Sequence, residues 1–177
     1  IITHGDPRCS AGAIAIAGAV SLVLSDQPVE PASLLDRLAE LTEGAEPRFA
    51  ADLRELKHWL SLPPQEAVRF ISRPGLDPEI EREQPGIPPF VGSSVLWSLY
   101  SFLTSPEDYW RTIHTAIAVG GDVDTTAAMA GAISGARLGL DAVPRDLARC
   151  LTDRGAWGLA ELAGLADECY TVRQRLA

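Results

Sequence analysis

From Ala11 to Leu24 fourteen consecutive residues carry no charge. A bilayer crossing needs ~20 apolar residues, so this stretch is too short to span one. No basic leader precedes it either. It consists of small and aliphatic residues with a single serine. On a helix such a segment is apolar on all sides, which predicts a central helix with others packed round it. Asp6-Pro7, just ahead, reads as a cap followed by proline at the first helical position.

The rest of the chain follows the same period. Leu34, Leu35, Leu38 and Leu41 predict a helix over 31–41, and Leu53, Leu56 and Leu60 another over 49–60. A shorter helix is expected over 63–71. Val95, Leu96, Leu99 and Leu103 mark a helix over 91–103. Ser105-Pro106-Glu107-Asp108 resembles a start signal for a helix reaching about Val119. Residues 72–89 are rich in proline and acidic side chains and predict a long irregular loop. Beyond Gly120-Gly121 a helix is expected from Asp124 to Gly139. Its Ala127, Gly131, Gly135 and Gly139, four apart, form a ridge of small residues along which another helix can approach closely. A turn at 141–144 and two further helices complete the chain. Aromatic residues are only 6% of it, and no segment alternates as a strand would. The fold class is all-α.

The formal net charge of −9 disfavours a phosphate backbone, so nucleic acid is not expected as a partner, and neither is a membrane. Cys9, Cys150 and Cys169 are odd in number and lack paired spacing, which speaks against a disulfide framework or a zinc site. They read as reduced thiols in a cytoplasmic protein.

Three segments can carry chemistry. In Gly120-Gly121-Asp122-Val123-Asp124-Thr125, two carboxylates stand two residues apart. On a helix they would point apart; on a glycine-hinged turn they can converge, with the Thr125 hydroxyl beside them. Such an oxygen set suits Mg²⁺, Mn²⁺ or Ca²⁺. Asp124 can equally serve as a helix cap and the glycines as a helix stop. In Thr3-His4-Gly5-Asp6-Pro7-Arg8, a histidine and an aspartate near a helix start can hold a polar ligand, or Asp6 can simply cap. In Pro88-Pro89-Phe90-Val91-Gly92-Ser93-Ser94, amides and hydroxyls at a helix start can cradle a diphosphate, or form an ordinary capping turn.

Taken in order, these segments resemble the ADP-ribosylglycohydrolase family. The acidic hexapeptide running into Ala127-Ala128-Met129-Ala130-Gly131-Ala132-Ile133-Ser134-Gly135-Ala136, then Val143-Pro144, is similar to the family's C-terminal signature. Phe90 to Leu99 and Thr3-His4 with Pro7 resemble stretches upstream of it. The resemblance implies an all-α orthogonal multi-helix bundle, with residues 1–177 forming the C-terminal part of a single domain. It implies two Mg²⁺ ions (Mn²⁺ possible) in the complete site, with Asp122, Asp124 and Thr125 as ligands. It places His4, Gly92, Ser93, Gly120 and Gly121 at an ADP-ribose-containing substrate, and hydrolysis at the anomeric carbon. No catalytic acid is assigned to this chain. The family's Thr-Asp-Asp motif does not occur in it, so about half of a typical member is expected to be absent. The isolated chain is then expected to be inactive, to bind metal weakly, and to expose apolar surface that favours self-association. The alternatives are a non-catalytic binding or crystallin-like structural member, and a half-protein that needs a partner chain.

Overall fold

A computed structural model describes residues 4–25, 27–76 and 86–176. Its described residues are helical, with two isolated backbone bridges and no strand, as the periodicity implies. The chain divides into two compact units, Ile1–Ala142 and Val143–Ala177.

The first unit contains α1 (Pro7–Val23), α2 (Pro31–Thr42), α3 (Pro47–Trp59), α4 (Pro64–Ile71), α5 (Val91–Leu103), α6 (Tyr109–Ile117) and α7 (Val123–Leu138). Each of the first four opens on proline, whose fixed φ suits the first turn and whose missing N–H is no loss there. Asp6 and Glu46 accept the backbone N–H of Arg8 and Arg48, closing the starts of α1 and α3. The α2 helix packs on α3 and α1, and α7 packs on α6, α5 and α1.

The central helix is α5, not α1. Every residue from Gly92 to Leu103 is buried, and α1, α3, α4, α6 and α7 all lie against it. By contrast α1 buries Ala11, Gly12, Ala15, Ala19 and Val23 along one face while Ile14 and Leu24 are exposed. The reason is volume. The buried face of α1 is mostly alanine, whereas α5 brings Leu96, Trp97, Leu99, Tyr100 and Phe102 to the core. Its polar atoms are satisfied: the Trp97 indole donates to the Ala116 carbonyl at 3.0 Å, the Tyr100 hydroxyl to Leu62 at 2.6 Å, and the Ser101 hydroxyl to Trp97 at 2.8 Å. Gly12 admits the side chain of Val91, since a Cβ there would stand 2.4 Å from its Cγ2.

Three local expectations are corrected. Leu41 faces outward, and Thr42 takes the buried place with its hydroxyl donating to Leu38. The cap of α6 is Asp108, which accepts from Arg111 at 2.9 Å. Ser105 instead belongs to the buried end of α5, accepting the Thr112 hydroxyl on its carbonyl. Of the small-residue ridge on α7, Gly131 does meet Ile113 and Tyr109 of α6, but Gly135 has nothing nearer than 4.0 Å and Gly139 terminates the helix with φ 78°.

The second unit holds α8 (Arg145–Ala148), a tight turn bridging Asp153 and Trp157, and α9 (Leu159–Leu176). Glu161 reaches back to accept the Gly158 N–H at 2.9 Å and closes the start of α9. No described helix is long and apolar enough to cross a membrane.

Candidate functional site

The turn between α6 and α7 carries the acidic motif. Gly120 and Gly121 have φ of 75° and 88°, where side chains are disfavoured. They place residues 120–122 beside Ile87 in a short parallel bridge. Ile87 donates its N–H to the Gly120 carbonyl at 3.1 Å and accepts the Asp122 N–H at 2.8 Å. A Cβ on Gly121 would lie 2.0 Å from the Ile87 oxygen, so only glycine fits. Residues 86–89, the described end of the long loop, are thereby tied to the acidic turn. Residues 77–85 of that loop lie outside the described residues.

Asp122 occupies the cap position of α7, yet its side chain makes no capping bond. The expectation that Asp124 might cap is corrected, because it sits inside the first turn. Its carboxylate is held below the usual range, first by the Thr125 backbone N–H, then by the Asp122 carboxyl within hydrogen-bonding reach, then by its own N–H. The glycine-hinged turn thus sets the two aspartates at the very start of α7, two residues apart. Asp122 is half-buried while Asp124 and Thr125 are exposed. Among the described residues neither carboxylate has an ion-pair partner. Two carboxyl groups on one turn, with a threonine next in sequence, are a donor set for a hard divalent cation. The described residues contain no cluster of three or more histidine, cysteine or acidic side chains that could hold a metal. The turn thus offers two carboxylates and a hydroxyl.

The other two segments meet elsewhere. His4 is exposed, and its charge acts on Asp6. Asp6 is bound by the Arg8 guanidinium at 2.5 Å and by the Arg8 amide at 2.9 Å, which lower its carboxyl to about 2. Arg8 lies 5.1 Å from the centre of the Phe90 ring and donates to the Gly75 carbonyl at 3.4 Å. That contact joins the start of α1 to the start of α5. Nothing in the spacing of Arg8 and Phe90 announces it. Gly92 is buried against the Pro74 carbonyl and Phe90. Ser93 and Ser94 turn their hydroxyls onto the carbonyls of Phe90 and Pro88, at 3.2 and 3.1 Å. Neither proton is offered outward, which leaves the backbone amides of a helix start that no side chain caps.

A cavity of about 790 Å³ opens beside this corner, lined by Arg8, Phe49, Asp52, Pro74, Phe90 and Gly92 among others. Burial, with Glu55 and Glu46 nearby, pushes the Asp52 carboxyl up to about 6. Sequence reasoning passed over Asp52, which looks like any polar position of an amphipathic helix.

The model of the ADP-ribosylglycohydrolase family matches residues 1–176. A 34-residue stretch is 59% identical to ADP-ribosylhydrolase ARH3 of Danio rerio, covering 19% of this chain and 9% of that protein. No solved structure matches. With a family match along nearly its whole length and the all-α architecture that goes with it, this chain belongs to the ADP-ribosylglycohydrolase family.

Proposed function

We propose that this chain takes part in the cation-dependent hydrolysis of an ADP-ribosyl N- or O-glycosidic bond, releasing ADP-ribose from a modified protein or small molecule. The observation that carries the reading is the turn fixed by Ile87, which sets Asp122, Asp124 and Thr125 together at the exposed start of α7. Family membership supports the reaction class.

Asp122, Asp124 and Thr125 would hold Mg²⁺, with Mn²⁺ as a substitute. When bound there, the ion supplies positive charge against which ribose hydroxyls can be oriented. The remaining roles belong to the chain itself. Gly120 and Gly121 keep the turn narrow, so that substrate can approach the backbone. Gly92 lines the cavity at the N-terminal end of α5, a place that favours phosphate oxygens, with Ser93 packed behind it. His4, exposed at the other helix start, is free to contact the ligand. Cleavage at an anomeric carbon builds cationic character on the sugar, and the two carboxylates would offset the charge of the bound cation beside it. Two carboxylates and a hydroxyl alone bind Mg²⁺ weakly, so the 177-residue chain by itself is inactive and further ligands come from outside it.

The test is release of ADP-ribose by a complete protein carrying this chain, with and without Asp124→Ala. Loss of turnover with an unchanged helical spectrum is expected, because Asp124 is exposed and contributes no packing. Full Mg²⁺-dependent activity in the variant would overturn the metal assignment.

A further inference from the structure

Beneath the acidic turn lie two hydroxyls that no motif marks. Thr126 is 1% exposed and Ser98, on α5, is fully buried. The Thr126 Oγ1 has one proton and three carbonyls in reach: Asp122 at 2.9 Å, Val123 at 3.3 Å and Ala116 at 3.4 Å. The shortest belongs to Asp122, whose carbonyl also accepts the Thr126 N–H at 3.2 Å. The Ser98 hydroxyl lies 2.7 Å from the Ser94 carbonyl of its own helix and 3.1 Å from the Thr126 carbonyl of α7. The second contact crosses between helices and ties the first turn of α7 to the central helix.

Asp122 needs such a hold. Its φ of −79° and ψ of 65° lie outside the helical region, and its side chain has no capping bond to fix it. Rotation about this ψ swings the Asp122 carbonyl relative to its carboxylate. A bond from Thr126 to that carbonyl therefore fixes the backbone from which the carboxylate projects. The Ile87 carbonyl holds the amide of the same residue from the other side. Asp122 is thus gripped at both backbone polar atoms, with its side chain left free of protein capping bonds.

We propose that Thr126, backed by Ser98, is a positioning residue that fixes the backbone of Asp122, and with it the base from which the carboxylate projects, for a divalent cation held by Asp122 and Asp124. The proposal rests on the cation-site reading above. Thr126 touches neither ligand nor substrate and acts only through Asp122. A merely structural hydroxyl would satisfy a buried carbonyl and contribute to stability, leaving cation affinity unmoved.

The experiment is Mn²⁺ binding to a complete protein carrying this chain, followed by electron paramagnetic resonance, with the thermal midpoint of each metal-free variant measured in parallel. Thr126→Val keeps the shape and removes the hydroxyl; Thr126→Ser restores the donor. One hydrogen bond corresponds to roughly a two- to tenfold change in an equilibrium constant. Thr126→Val is expected to weaken Mn²⁺ binding by that factor at a temperature where it is folded, and Thr126→Ser to bind as the unmodified chain does. Ser98→Ala, which leaves Thr126 in place, is expected to weaken binding by a smaller factor and serves if Thr126→Val does not fold. Should Thr126→Val, or Ser98→Ala in its stead, bind Mn²⁺ normally while Asp124→Asn loses it, the positioning role is overturned and the cation site stands. Should the complete, unmodified protein bind no Mn²⁺, or its Asp124→Asn variant bind it equally well, both fall together.

Discussion

Gly120 and Gly121 share a left-handed φ, but their surroundings treat them differently. A Cβ on Gly120 would meet nothing within 4 Å, whereas one on Gly121 would collide with the backbone of Ile87. Gly120→Ala should therefore cost only the conformational strain, roughly 1–2 kcal/mol. Gly121→Ala should cost about 3 kcal/mol or more, because the bridge to Ile87 must also open. Urea denaturation of the two variants distinguishes the cases; equal losses would mean that the bridge contributes nothing. Asp52 makes a prediction of opposite character. Its carboxyl is raised from 3.8 to about 6, chiefly by burial, so the folded chain holds a proton that the unfolded chain has released. Stability from this group is therefore full below about pH 4 and is lost as pH rises towards and past 6. Asp52→Asn should match the unmodified chain at pH 4 and exceed it in thermal midpoint at pH 8. No gain at pH 8 would show that Asp52 is well solvated. At this scale the sequence was legible wherever a residue type is rare in its place. Asp122 and Asp124 stand out after two glycines. Thr126, Ser98 and Asp52 do not, since their importance comes from neighbours brought together by folding.

The apolar period, with cap, proline and glycine signals, located the helices, and 91–103 coincides with α5. Their ranking by burial was not legible. A run without charge looks central, but alanine fills little volume, and the aromatic-rich α5 took the middle. The serines of α5 dilute its apolar pattern in sequence, yet in the helix they bond to carbonyls and are buried without penalty. The ridge on α7 shows the same limit. Four-residue spacing places Gly131 and Gly135 on one stripe, but only Gly131 is crowded by α6. Gly135→Ala should stabilise the protein by up to about 1 kcal/mol, the ordinary helix-interior difference. Gly131→Ala should gain nothing or lose, because a Cβ would sit 3.1 Å from Ile113 Cδ1 and 3.3 Å from the Tyr109 oxygen. Chemical denaturation of the pair checks this, and a loss at Gly135 equal to that at Gly131 would contradict the packing described for α6 and α7.

At the scale of the molecule, the all-α class follows from composition and period together, and the family follows from the ordered motifs and the match over residues 1–176. The site is a different matter. Its acidic turn lies within one stretch of sequence, but the residues that hold it in place come from 87, 98 and 116, each on another element. The corner built by Arg8 and Phe90 likewise joins positions 82 apart in the chain. Local sequence names such a site's ligands and leaves out its scaffold. The central claim is that Asp122 and Asp124 together grip a divalent cation. The most direct measurement is anomalous scattering from crystals of a complete protein containing this chain, grown with Mn²⁺. A peak between the two carboxylates, at about 2.0–2.3 Å from an oxygen of each, is the expected result. Mn²⁺ bound elsewhere, with the Asp122 and Asp124 carboxylates turned apart, would contradict it.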